Sequence, residues 1–299
     1  MLDLLKECRL CPRNCGVDRT RGEHGFCGAE ATVRVGRAAL HMWEEPCISG
    51  ESGSGTVFFS YCTLRCVYCQ NAQISQKHIG KEISIERLAE IFSELQAQGA
   101  NNINLVTPTH YLPQIMTAID LAKKNGLKLP IVYNTGGYEK AETIQMLDGY
   151  VDIYLPDFKY YSNDTAKRYS NAPNYVEVAK SALEEMVRQI GKPQFDDNGI
   201  MKRGVIVRHL ILPGCYRESE KLLDYLYRQY GDDIYISLMN QYTPFADAKK
   251  YPELNRKIPQ EQYDRLVDYA VALGIENGFI QEEETADESF IPNFDGQGV

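Results

Sequence analysis

From Thr56 onward the chain alternates short β-branched apolar runs with longer stretches whose apolar positions recur every three or four residues. Alternation between a two-residue and a 3.6-residue period marks repeated βα units around a parallel sheet. The pattern predicts strands over residues 55–60, 103–107, 131–134, 151–155, 205–212 and 234–239. Leu88, Ile91, Phe92 and Leu95 form the apolar stripe of the first helix, which Ser84 can cap and Gly99 can end. Further helices are expected over 112–124, 141–147, 175–190, 219–230 and 260–273, each followed by a glycine able to close it. Asp196-Asp197-Asn198-Gly199 breaks the rhythm and predicts a short hairpin inserted before the fifth strand.

Parallel strands closing into a barrel send the loops at their C-terminal ends to one face, where chemistry is assembled. The polar residues of interest fall at those ends. Cys62, Cys66 and Cys69 follow the first strand, Thr107-Pro108-Thr109-His110 the second, Asn134-Thr135-Gly136-Gly137-Tyr138 the third, and Asp157-Phe158-Lys159 the fourth.

Composition then narrows the function classes. A length of 299 residues suits one large domain with a small appendage. A net charge of −9 disfavours a protein that neutralises nucleic-acid phosphates. The charge imbalance lies outside the first fifty residues and is strongest over 276–295, which reads as a solvated acidic face. The chain has no apolar run long enough to span a bilayer and no basic leader, so a cytoplasmic protein without a membrane is expected. Of nine cysteines, all but Cys215 precede residue 70. Grouped cysteines in a reducing compartment usually bind metal rather than pair as disulfides.

Cys62-Thr-Leu-Arg-Cys66-Val-Tyr-Cys69 places three thiolates on one loop just after a buried strand. Four would saturate a metal, whereas a cubane with three protein ligands keeps one iron open. This C-x3-C-x2-C spacing, with Tyr68 before the last cysteine, resembles the signature of the radical S-adenosylmethionine (radical SAM) superfamily. The resemblance implies a [4Fe–4S] cluster that binds S-adenosylmethionine and splits it into methionine and a 5′-deoxyadenosyl radical. An α/β fold follows from it: a partial (β/α)6 radical-SAM barrel over 51–245, preceded by a cysteine-rich metal-binding segment over 1–50. A C-terminal helix, strand and acidic tail over 246–299 would pack on the barrel.

Within the superfamily the chain resembles the glycyl-radical-enzyme activating branch, typified by pyruvate formate-lyase activating enzyme. Asn134-Thr135-Gly136 looks like that branch's D/N-T-N-G, Asp157-Phe158-Lys159 like its D-x-K, and Arg208 with Pro213-Gly214 like its R-x-x-x-V-P-G. The resemblance implies that these residues contact S-adenosylmethionine, with Asn134, Thr135 and Asp157 beside its carboxylate and Lys159 as a charge-assisted donor. The branch's Gly-Gly-Glu is absent, so Thr107, Thr109 or a backbone carbonyl would accept from the ammonium group. Tyr242 stands where typical activases carry a histidine. These departures, with Glu44-Glu45-Pro46-Cys47-Ile48-Ser49-Gly50 and the motif over 290–296, resemble the activase-like subgroup called the PflX type. An electron donor such as flavodoxin or ferredoxin, and a glycyl radical enzyme or peptide substrate, are the implied partners.

Cys8, Cys11, Cys15 and Cys27 form a second set, spaced to close a four-coordinate site. Zinc and a second iron–sulfur cluster both fit. The spacing differs from the compact ferredoxin run and so favours zinc. His24 and Cys47 are alternative ligands or ordinary loop residues. His110 and His209 can serve as acid, base or packing groups, and Cys215 as a hydrogen relay or a small apolar residue. Three functions remain open: an activase, a peptide- or small-molecule-modifying radical oxidoreductase, and a non-catalytic metal-binding scaffold.

Overall fold

The computed structural model describes residues 1–244, 247–281 and 292–299. Residues 282–291 of the acidic stretch thus lie outside the described residues. Ten strands form one sheet: β1 (Val33–His41), β2 (Ser54–Phe59), β3 (Lys81–Ile83), β4 (Ile103–Val106), β5 (Ile131–Thr135), β6 (Ile153–Pro156), β7 (Gln194–Phe195), β8 (Met201–Leu210), β9 (Tyr235–Met239) and β10 (Gly278–Ile280). Their order is β10-β9-β8-β6-β5-β4-β2-β1-β3, with β7 paired to β8. From β2 to β10 every neighbouring pair is parallel. The six expected strands are β2, β4, β5, β6, β8 and β9, and β10 adds a short seventh. No ladder joins β10 to β3 among the described residues, so the barrel is partial.

Successive strand residues alternate between two apolar layers, as the pleat requires. Val132, Ile153, Leu155 and Ile206 pack inward with Cys47 and Ile48. Their neighbours Ile131, Tyr133, Tyr154, Val205 and Val207 pack outward against the helices. Burial on both faces explains the near-continuous apolar runs. The inward layer is completed by Pro46–Ser49, a single helical turn that buries Cys47 and Ile48 against these strand residues. Helices Ile85–Ala97, Leu112–Lys124, Tyr175–Ile190, Tyr216–Tyr230 and Gln260–Leu273 cover the outside. Ser84 caps the first, its Oγ accepting from the Arg87 N–H at 3.1 Å. No helix among the described residues is long and apolar enough to cross a membrane.

Among the elements that escape the periodicity are a long strand and a short helix. β1 pairs antiparallel with β2, and its register shifts between Val35 and Arg37. A bulge at Gly36 breaks the two-residue alternation there and hides the strand. Helix Asn163–Ser170 is short, polar and capped by the Ser162 hydroxyl, so it carries little apolar signal. The hairpin expected at 196–199 is present, with β7 antiparallel to β8 around a turn in which Gly199 N donates to Asp196 O at 2.9 Å.

Candidate functional site

The loop leaving β2 carries Cys62, Cys66 and Cys69 into the mouth of the barrel. Cys66 and Cys69 line a cavity of about 620 Å³, while Cys62 packs against the surrounding core. Each sulfur has a polar neighbour. Leu64 N donates to Cys62 Sγ at 3.4 Å, Ser170 Oγ donates to Cys66 Sγ at 2.8 Å, and Cys69 Sγ lies 3.3 Å from Ser75 Oγ. Burial pushes all three thiols upward, Cys66 to about 11, with the Lys159 ammonium opposing that rise. Thiolates in this loop therefore need a cation or metal beside them.

A chain of hydroxyls backs Cys66. Tyr160 Oη lies 2.5 Å from Ser170 Oγ and 2.6 Å from Tyr68 Oη. A serine has one hydroxyl proton, and Ser170 gives it to Cys66. Tyr160 must then donate to Ser170, and Tyr68 to Tyr160. Tyr68 also lines the cavity.

The opposite wall is ionic and centred on Arg208 of β8. Its Nε donates to Asp157 Oδ1 at 2.8 Å, its Nη2 to Asn134 Oδ1 at 2.6 Å, and its Nη1 to Glu44 Oε2 at 3.1 Å. Lys159 pairs with the other oxygen of Asp157. Burial disfavours the Asp157 carboxylate, but Arg208 and Lys159 outweigh burial and hold its pKa below the ordinary value. Glu44 Oε1 accepts from Asn104 Nδ2 at 3.0 Å. Burial pushes both Glu44 and Glu45 upward against the pull of Arg208. The cavity thus joins two thiols, cations and carboxylates on one surface, a donor set that fits a thiolate-bound cluster and a zwitterionic ligand.

The other expected contacts lie elsewhere. Asn134 and Thr135 are neighbours on β5, so their side chains take opposite faces. Asn134 faces the cavity, whereas the Thr135 hydroxyl donates to buried Glu139. Thr109 Oγ1 donates to the same Glu139 oxygen at 2.6 Å. Thr107 takes φ +58° and its N–H is held by Asn134 O at 2.8 Å; it is outside the cavity wall. Gly136 is close to Lys159 and Leu64, but it is Gly137 whose place requires glycine. Gly137 has φ +77°, and a Cβ there would stand 2.1 Å from Asp157 O. Tyr242 is buried beside Tyr68, ring centroids 6.1 Å apart, with its hydroxyl donated to Leu254 O at 2.7 Å. Sequence reasoning missed Glu44, Glu45 and Glu139 as members of this network; the paired acids before Pro46 were the available signal.

Both histidines are packing groups held neutral. Burial lowers His209 to about 4, with Nδ1 donating to Phe158 O and Nε2 accepting from Ser219 Oγ, each at 2.8 Å. Burial lowers His110 to about 3, and its Nε2 donates to Ser60 O at 2.7 Å. Cys47 lies in the inward layer and Cys215 just before helix Tyr216–Tyr230, both away from the other cysteines' cavities. His24 is exposed, its Nδ1 3.2 Å from Gly28 O. Cys8, Cys11, Cys15 and Cys27 line a second, small cavity. In neither cysteine set, nor anywhere among the described residues, do three His, Cys, Asp or Glu side chains stand at single-ion spacing. A cubane asks for a wider arrangement, because each thiolate binds a different iron.

The family model for the radical SAM superfamily matches residues 56–226. The uncharacterized protein MJ0674 of Methanocaldococcus jannaschii is 30% identical over 280 residues, covering 90% of this chain and 75% of the relative. Among solved structures, Streptococcus suis SuiB bound to precursor peptide SuiA superposes with a TM-score of 0.50 at 14% identity, over 75% of this chain and 47% of SuiB. SuiB bound to S-adenosylmethionine gives a TM-score of 0.50 at 13% identity, over 75% of this chain and 49% of that one. The chain spans about half the length of SuiB, and the likeness is one of fold.

Proposed function

Because the chain belongs to the radical SAM superfamily, we propose that Cys62, Cys66 and Cys69 hold a [4Fe–4S] cluster and that the enzyme acts on a polypeptide. The observation that carries this reading is the meeting of Cys66 and Cys69 with Asn134, Asp157, Lys159 and Arg208 around one cavity. When bound, the cluster supplies the electron that splits S-adenosylmethionine into methionine and a 5′-deoxyadenosyl radical, which abstracts hydrogen from the substrate. Lys159 and Arg208 offer donors to the carboxylate of the methionyl end. Asp157 and Asn134 offer oxygens to its ammonium, and Glu44 and Glu45 line the same cavity as further carboxylates. Thr109 and Thr135 instead orient Glu139 behind that wall. Tyr68 closes the cavity beside the cysteines, and Tyr242 packs behind it.

The open side of the barrel supports a polypeptide substrate. Exposed Met42, Trp43 and Ile280 line the cavity there, giving an apolar rim to a polar interior. The leading form of the reading is abstraction from a glycine of a partner enzyme, as in the activase branch and its PflX-type subgroup, with flavodoxin or ferredoxin as electron donor. A second form, peptide modification, is favoured by the shared fold with SuiB, whose crystal structure holds a precursor peptide. Anaerobic protein with a full cluster is mixed with dithionite and S-adenosylmethionine. 5′-Deoxyadenosine should accumulate, and its absence above background removes both forms. Deuterium placed at the α-carbon of a candidate glycine, and recovered in 5′-deoxyadenosine, selects the first.

A further inference from the structure

The four amino-terminal cysteines take no part in the large cavity, yet they meet at one place. Cys8, Cys11, Cys15 and Cys27 line a separate cavity of about 20 Å³ together with Arg19 and His110. Every one of the four sulfurs has an N–H donor. The Arg13 backbone serves Cys11, Phe26 N serves Cys15 at 3.3 Å, Ala29 N serves Cys27 at 3.4 Å, and Arg19 Nη1 approaches Cys8 at 3.9 Å. Donors two residues after Cys11 and Cys27 repeat the arrangement at Cys62, where Leu64 donates. Donors aimed at sulfur favour the thiolate over the thiol.

Arg19 supplies an independent observation. It is 2% exposed, and its guanidinium reaches the carbonyls His110 O at 2.5 Å and Glu30 O, Cys8, and the face of the Tyr111 ring at 5.6 Å, none of which is a carboxylate. Among the described residues it has no carboxylate within ion-pair distance. Its Nε, and Nδ1 of His110 beside it, have no hydrogen-bond partner. A buried cation without a counter-charge is strongly disfavoured. A metal held by four thiolates carries net negative charge and would supply it.

We propose that Cys8, Cys11, Cys15 and Cys27 hold a thiophilic metal centre, as zinc or as an iron–sulfur cluster, whose negative charge Arg19 balances. The centre also ties the amino-terminal segment to the loop of Cys62, Cys66 and Cys69. Arg13, between Cys11 and Cys15, donates to Thr63 O at 3.0 Å and to Asn171 O at 2.6 Å. The Phe26 ring is approached by two guanidinium groups, Arg13 at 3.7 Å and Arg65 at 4.4 Å, and Arg65 donates to Phe26 O at 2.9 Å. The cavity has room for about one water-sized body, so a single ion enters after side-chain rotation and a cluster after the walls part. Metal counting separates these two forms of one ligand chemistry.

The test uses the full chain purified without air, in which zinc, iron and acid-labile sulfide are counted. Beyond the irons of the radical site, about one zinc or about four further irons per chain are expected. The Cys11→Ser/Cys27→Ser variant should lose that extra complement and keep the electron paramagnetic resonance signal of the reduced radical-site cluster. Arg19→Met should release the extra metal to a chelator about tenfold faster than wild type, and Arg19→Lys should restore most of the difference. Wild-type protein with neither zinc nor extra iron, and with all four amino-terminal thiols alkylated under native conditions, overturns the proposal. Arg19→Met retaining metal as well as wild type removes the counter-charge. Should the double variant not fold, alkylation mapping of wild type decides alone. A missing radical-site signal in wild type would bear on the proposed function and leave the metal count of this centre readable.

Discussion

Two cysteine sets occupy one molecule and differ in what surrounds them. Of the trio after β2, Cys66 and Cys69 line a cavity of about 620 Å³ walled by Asp157, Lys159 and Arg208, with Cys62 packed beside them, whereas the amino-terminal quartet encloses about 20 Å³ with one buried arginine. Ligand count and free volume vary together. Three thiols beside a large, charged space are arranged for something that must enter and leave, and four around a small one for something that stays. The difference shows that the thiols alone do not declare a role; the walls around them do.

The sharpest way to break the contrast is Cys66→Ser. It should lower 5′-deoxyadenosine formation by at least ~10³-fold, because catalysis through the cofactor disappears with its ligand. The same substitution at Cys15 should change turnover far less. Equal losses at both positions, measured in anaerobic assays, would erase the distinction between the sets.

Next comes the ionic wall. Arg208→Met leaves Asp157, Glu44 and Asn134 facing one another without their shared donor, so chemical denaturation should report a loss of about 3–5 kcal/mol. S-Adenosylmethionine affinity, read by equilibrium dialysis, should fall as well. Gly137→Ala drives a Cβ into the carbonyl of Asp157 at a positive φ and is expected to cost about 2–4 kcal/mol.

Glu139 lies between the two regions, bonded to Thr109 and Thr135 on one side and felt electrostatically by Cys11 on the other. Burial raises its carboxyl to about 7 from an ordinary 4.5. The folded state therefore holds a proton that the unfolded chain has already lost. Its contribution is complete below about 4.5 and is lost as pH rises through about 7, a change of roughly 3 kcal/mol. Comparing wild type with Glu139→Gln from pH 4 to 8 isolates this contribution, and parallel curves would refute it. The smallest effect is expected at Ser170→Ala, which removes the donor to Cys66 Sγ. A thiolate relieved of a hydrogen bond makes its cluster harder to reduce, so potentiometry should show a midpoint lower by some tens of mV, with about 1 kcal/mol lost in stability.

Much of the architecture was legible because period and burial agree. β4, β5, β6 and β9 are buried on both faces and largely apolar, and the turn over 196–199 carries its own chemistry. β1 was not legible, since Gly36 shifts the register in mid-strand. At the site, the trio was marked by its spacing and Asp157 by its place at a strand end and by the family resemblance, but the partition of Asn134 and Thr135 between two faces was not legible, because the start of the pleat is set by the whole sheet. Glu44 and Glu45 reach the cavity only because β1 runs antiparallel to β2 and returns the chain beneath the barrel. No local pattern encodes that journey. Thr109 and Thr135 were drawn to an acid that stood unremarked in the same segment.

The two outermost strands of the open sheet, β3 and β10, are only three residues each. On β3, Lys81 donates to the carbonyls of Gly296 and Val299, and Glu82 pairs with Arg34. An incomplete barrel has two margins at which another polypeptide could add and continue the ladder. Short, charged or covered margins discourage that addition. Among the described residues, the gap in the wall is thus bordered by margins of the kind that disfavour polymerisation through it.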